Sequence, residues 1–168
     1  MDPIAHASVA LMVKPITPKA PLWALIAATE VPDLLFFGFQ ALGIEHQAVT
    51  DVDFIKGTTY LSPALLPWSH GLLLCLFWSF VVGIISRIFI KDVRTSIVIG
   101  LLVFSHWALD ALAYSNLPIG LDGSPQIGLG LVNSGIGMII GIGIEVLLIL
   151  GGVLVYMQYR RKKVVVKA

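Results

Sequence analysis

Apolar residues do not alternate along this chain. They gather into four long runs, covering residues 21–42, 71–90, 95–114 and 136–156. Each run is long enough to cross roughly 30 Å of hydrocarbon as an α-helix rising about 1.5 Å per residue. Ahead of them, residues 3–13 are apolar over only about half a span, which predicts a re-entrant or interfacial helix. Lys14, Pro15, Thr17, Pro18 and Lys19 separate it from the first full run, because proline and the residue before it end helices. The expectation is an all-α, polytopic membrane helical bundle. It has four transmembrane helices plus a short N-terminal half-spanning helix, in a single domain over residues 1–168.

Composition supports this. Hydrophobic residues make up 57%, charged residues 12%, and the mean hydropathy is +0.91, all far from the averages of a soluble domain. A length of 168 residues leaves room for one bundle and no separate soluble domain. The single Cys75 lies in an apolar run, so there is no disulfide framework. Residues 1–19 lack the ordered basic, apolar and small-residue regions of a cleavable signal peptide. A net charge of +1 gives no reason to expect a nucleic-acid partner.

The distribution of that charge carries more information. If the four spans alternate, ten of the 11 Lys and Arg residues fall on one side: Lys14, Lys19, Arg87, Lys91, Arg94, Arg160, Arg161, Lys162, Lys163 and Lys167. Only Lys56 falls on the other. Positive charge marks the cytoplasmic face, so the Lys14–Lys19 turn and the C-terminus are expected inside. The loops at residues 43–69 and 115–134 then face outward. The second is rich in Gly and Pro, and is expected to be a loop of turns, neither strand nor helix.

The polar residues inside the runs are carboxylates and histidines, with no cation at their depth. Glu30 and Asp33 lie in the first run, His70 opens the second, His106 and Asp110 lie in the third, and Glu145 lies in the fourth. His6 stands on the short leading segment. A carboxylate at the centre of a membrane helix costs about 2.5–3.5 kcal/mol even on the gentlest insertion scale. Several together need protons, histidine partners or a bound metal, and histidine with carboxylate is the donor set of a zinc-like ion. Counted from the cytoplasmic ends, these groups rise about 12–25 Å and fall in one slab nearer the outer face.

The Glu30–Asp33 and His106–Asp110 pairs, three and four residues apart, each project from one helix face. Helical bundles build metal sites from such pairs on facing helices. Ser69 and Ser105 each precede a histidine and are candidates to orient its ring. Other readings stand beside these. Glu30 also fits a protonated interhelical donor, Asp33 after Pro32 a helix cap, and Glu145 a packing or proton-linked residue. His46 reads as a solvated loop residue, and Trp23, Trp68 and Trp78 as belt or packing residues. Gly135, Gly137, Gly141 and Gly143 read as allowing close helix packing, and Arg160–Lys163 as a membrane-side anchor.

Taken together the pattern resembles an uncharacterised family of small bacterial and archaeal membrane proteins. The resemblance spans nearly the whole chain. Its marks are Pro21-Leu22-Trp23, Pro67-Trp68-Ser69-His70-Gly71-Leu72-Leu73, Ser105-His106-Trp107-Ala108-Leu109-Asp110, Asn116-Leu117-Pro118-Ile119 and Gly128-Leu129-Gly130-Leu131. More distantly it is similar to the LexA-regulated, membrane-bound metal-dependent hydrolases, themselves akin to zinc-dependent phospholipase C and related nucleases. The marks of that family are an early histidine (His6), Pro32-Asp33, a Ser/Thr-His pair at His70, and His-x-x-x-Asp from His106 to Asp110. The chain departs from it at Leu35, where the pattern has a second Asp, and at Leu65, where it has a further His.

The resemblance implies a prokaryotic cytoplasmic membrane. It also implies a divalent ion, zinc by analogy, held by members of His6, Asp33, His70, His106 and Asp110, with Glu30 as a further candidate. The substrate class implied is a phosphoester, including a membrane lipid. Glu30 and Glu145 are the candidate general bases, and Asn116 a candidate for orienting substrate. The alternative is a small transporter or a metal- or proton-binding protein that uses the same groups without hydrolysis.

Overall fold

The computed structural model describes residues 1–45, 49–53, 58–61 and 66–165. His46, Lys56, Leu65 and Lys167 lie outside the described residues. Seven α-helices occur among the described residues: α1 (Pro3–Val13), α2 (Leu22–Thr29), α3 (Val31–Ala41), α4 (Pro67–His70), α5 (Leu72–Ile90), α6 (Val93–Ala113) and α7 (Gly135–Val165). Of these, α5, α6 and α7 are long and apolar enough to cross a membrane. The molecule is a predominantly helical membrane protein.

The expected first span differs. Residues 21–42 form two helices, α2 and α3, bent by 58° at Glu30. The four expected spans are therefore three unbroken helices and one broken pair. The cause is local. Pro32 sits in the first turn of α3, and in a continuous helix its missing N–H would leave the Ala28 carbonyl unpaired while its ring pressed on that carbonyl. Glu30 absorbs the break with φ −98° and ψ 4°. The short leading helix forms as expected: the Asp2 carboxylate accepts from the Ile4 N–H at 2.8 Å to cap α1, and a 3-10 turn at Lys14–Ile16 ends it.

The helix α6 is central. About half of its apolar stretch is buried within the protein, whereas α5 and α7 are almost wholly on the outside. On one side α6 packs against α5, and on the other against α2 and α1, while α7 lies on α1. Ala10, Leu25, Ala28, Ile99, Leu102 and Val103 form the core between them. Two close approaches rest on glycine. A Cβ on Gly100 would lie 2.8 Å from the Ser79 carbonyl of α5, and one on Gly152 would lie 2.6 Å from the Ser8 carbonyl of α1. The glycines expected to serve helix packing do less. Gly135 and Gly143 face open space, and Gly137 and Gly141 lie against Leu131.

Polar contacts close one end of the bundle. Lys19 Nζ donates to Asp92 at 2.6 Å, joining the α1–α2 turn to the α5–α6 turn. Asp92 also caps α6 through the Thr95 N–H at 3.0 Å and Thr95 Oγ1 at 2.6 Å. These contacts, Lys19 first, hold the Asp92 carboxyl well below the usual carboxylate range. Lys14 Nζ turns back onto the carbonyls of Thr17, Pro18 and Ala20.

The opposite end carries the loops. In the first, β1 (Val49–Asp53) pairs antiparallel with β2 (Thr58–Leu61). The second contains a short ladder of β3 (Leu117–Pro118) with β4 (Gln126–Ile127), and a 3-10 turn at Leu131–Asn133. The expectation of turns without strand is corrected here; a strand of two residues is too short to show alternation. The loop is tied down to the start of α5 and to the end of α6. The Leu73 N–H donates to the Ile119 carbonyl at 2.9 Å, and the Leu129 N–H to the Ala111 carbonyl at 2.7 Å. Gly128 (φ +139°) lets the chain press onto Tyr114, whose carbonyl would stand 1.9 Å from any Cβ there.

Candidate metal centre

The site lies near the loop end of α6. His106 and Asp110 stand one turn apart and face inward, both almost fully buried. In α6, His106 follows Asp92 by 14 residues, about 21 Å along the axis, which puts it far from the Lys19–Asp92 contact. Around it gather His6 from α1, Asp33 from the first turn of α3, and His70 from the end of α4. All five residues singled out as ligands in the sequence meet here.

His6 Nε2 lies 3.4 Å from Asp110 Oδ1. His106 Nε2 lies 3.4 Å from Asp110 Oδ2 and 3.5 Å from Asp33 Oδ1. His70 Nε2 lies 3.3 Å from Asp33 Oδ1 and 3.8 Å from Asp110 Oδ2. The His6 and His106 rings stack at 3.8 Å, and His70 meets His106 edge-on at 5.4 Å. The Met1 ammonium pairs with Asp110 Oδ1 at 2.6 Å, a cation within the cluster where the side-chain pattern led us to expect none.

These separations decide what the cluster suits. A good N–H···O hydrogen bond spans about 2.7–3.2 Å, and every imidazole–carboxylate distance here is longer. Donors bound at about 2.0–2.1 Å around a tetrahedral zinc ion lie about 3.4 Å from one another. Two triads have ligand atoms all within 4.8 Å of one another: His6, His106 and Asp110, and Asp33, His70 and His106. Three imidazoles with two carboxylates match the donor preference of zinc-like ions.

The ring orientations come from elsewhere in the chain. His106 Nδ1 donates to the Thr29 carbonyl at 2.7 Å. A carbonyl only accepts, so Nδ1 carries the proton and Nε2 is the nitrogen turned to the site. That carbonyl is freed by the break at Glu30, because a continuous helix would pair it with the Asp33 N–H. His70 Nδ1 is hydrogen-bonded to Ser69 Oγ at 2.8 Å, as expected from the sequence. Ser105 does not play that part for His106, since its hydroxyl donates to the Leu102 carbonyl at 2.7 Å. His6 Nδ1 is buried without a hydrogen-bond partner.

One residue of this layer had no sequence signal. Glu45, 1% exposed, accepts from the Trp68 and Ser69 N–H groups at 2.7 and 2.9 Å and so holds the turn that bears His70. A single acid in a loop 25 residues from His70 carries no pattern that would reveal this.

Glu30, Glu145 and Asn116 lie outside both triads. Glu30 is half-buried and accepts from Thr29 Oγ1 at 3.1 Å. Glu145 accepts the Asp2 N–H at 3.0 Å and lines a cavity of about 310 Å³ with Tyr114, Met138 and Ile142. Asn116 is half-buried in the loop after α6. The cluster opens on one side: the Asp33 side chain is 33% exposed, against 7% or less for His6, His70, His106 and Asp110.

Fold and site together define a helical membrane protein with a buried imidazole–carboxylate cluster. Compared with family models, curated proteins and solved structures, the chain matches none.

Proposed function

We propose that this chain binds one divalent ion, zinc by donor set, and uses it to hydrolyse an ester linkage of a membrane lipid. The sequence resemblance to metal-dependent membrane hydrolases favours a phosphoester. The observation that carries the reading is the spacing of five clustered donors, four of them buried: longer than good hydrogen bonds and close to the edges of a coordination polyhedron. The count of one ion follows from His106. Both triads share it, its Nδ1 is committed to Thr29, and a single remaining lone pair serves one ion. The departures at Leu35 and Leu65 agree with a single ion.

An ion held there supplies Lewis-acid polarisation and lowers the pKa of a bound water to about 7. The chain's own residues supply the rest. Asp33 marks the opening, so substrate meets the cluster from the α3 side. Glu30, three residues before Asp33 at the helix break, is the general base this access favours. Glu145, engaged with the Asp2 N–H, suits substrate positioning in the neighbouring cavity, and Asn116 orients substrate from the loop. The protein belongs in a prokaryotic cytoplasmic membrane, with the Lys14–Lys19 turn and the C-terminus inside.

A second reading has its own observation. Two helices are interrupted beside the cluster, at Glu30 and at Gly71, and transporters build ion sites at such interruptions. Zinc-loaded, detergent-solubilised protein offered phosphomonoester, phosphodiester, acyl-ester and amide lipids separates the two. Hydrolysis predicts cleavage of at least one lipid, abolished in Asp33→Asn with helix content unchanged. Stoichiometric zinc without cleavage of any lipid leaves ion binding or transport as the function. Protein that takes up no zinc refutes both.

A further inference from the structure

The face of α6 turned away from the His/Asp cluster carries a second feature. A groove of about 580 Å³ runs between α5 and α6. Leu76, Phe80, Ile84, Ile97, Leu101 and Phe104 form its walls, and Gly83 and Gly100 form its floor where the two helices cross. Its two serines have their hydroxyl hydrogens committed within their own helices. Ser79 Oγ donates to the Cys75 carbonyl at 2.6 Å and Ser96 Oγ to the Asp92 carbonyl at 2.9 Å. The one charged residue in the lining is Arg87, at the far end from the cluster. Arg87 is exposed and makes no ion pair among the described residues, and Lys91 and Arg94 follow it at the same end of the bundle.

Length and charge identify an occupant. From Leu76 to Arg87 is 11 residues, about 16 Å of helix, close to the half-thickness of a bilayer's roughly 30 Å hydrocarbon core. A chain lying in this groove therefore ends at headgroup depth, where the exposed Arg87 guanidinium meets it. Basic residues between membrane helices at that depth hold anionic headgroups, and guanidinium is well matched to phosphate. We propose that the α5–α6 groove is a binding site for one anionic phospholipid, its acyl chain between the helices and its phosphate on Arg87. This lipid sits in the leaflet at the basic end of the bundle, away from the metal cluster, so it is a resident lipid and not the substrate.

Native mass spectrometry of the full-length protein in detergent, titrated with phosphatidylglycerol and with phosphatidylcholine of the same chains, tests this. Wild type is expected to take one phosphatidylglycerol about five-fold more tightly than phosphatidylcholine, the worth of one basic contact at a membrane surface. Arg87→Ala should level the two lipids. Ile97→Trp, which fills the groove from an exposed wall position, should weaken both. Zinc content should be the same in all three proteins, which keeps this result separate from the metal reading. Equal affinity of wild type for the two lipids overturns the proposal, as does a preference that survives both substitutions. A dimer that forms in place of the lipid adduct, and is broken by Ile97→Trp, overturns it in favour of a second copy of the chain.

Discussion

His106 is shared by both donor triads, so His106→Ala is the sharpest perturbation of the metal centre. The substitution has two separable costs. The first is independent of metal: the buried Thr29 carbonyl loses its donor, worth about 1–3 kcal/mol, and the missing ring leaves a void against His6. The second is the linkage of ion binding to folding. At a free zinc concentration a thousandfold above its dissociation constant, wild type gains about 4 kcal/mol. For a chain of this size that corresponds to a rise in Tm of roughly 8–16 °C. Melting of detergent-solubilised protein in EDTA and in zinc, for wild type and His106→Ala, separates the two costs. The EDTA baseline contains the first cost, and the zinc-induced shift contains only the second. The expected outcome is a large shift in wild type, no shift in His106→Ala, and a retained shift in Glu145→Gln. Wild-type protein that melts at one temperature in both buffers refutes the reasoning. A full shift in His106→Ala refutes the central place given to this histidine.

Three further outcomes are expected. Gly152→Leu drives a side chain into the Ser8 carbonyl two residues from His6; it should cost about 1–3 kcal/mol and weaken zinc binding in a chelator competition, while Gly143→Leu, facing open space, changes neither. Glu45→Ala strands the Trp68 and Ser69 N–H groups, at about 1–3 kcal/mol each; Tm and zinc affinity should both fall, with partial recovery in Glu45→Gln. In a Cys75→Ser background, Asp122→Cys should react with an impermeant thiol reagent outside intact cells while Lys163→Cys does not, and the reverse pattern inverts the assigned orientation.

The helices were legible because a membrane helix satisfies its own backbone and needs no partner to be recognised. That holds for α1, α5 and α6, whose bounds differ little from the apolar runs, and for α7, which runs on into the basic tail. The cluster was legible for a related reason. Carboxylates with no lysine or arginine at their depth in a membrane are costly wherever they occur, so Asp33 and Asp110 announced a site before any contact was known. The break at Glu30 was half-legible, since Pro32 is visible while the size of the bend is not.

Tertiary structure decided what depends on groups distant in the chain. It selected Thr29, through a carbonyl that every residue type carries, to fix the His106 ring 77 positions away. It set Glu45 under the turn of His70, and it seated α1 against Gly152 of α7 so that His6 reaches Asp110. Residue type and spacing determined which side chains are costly to bury and that they lie at one depth. Backbone carbonyls and close helix approaches carry no residue-type signal, so only the folded chain could settle which ring nitrogens face the site.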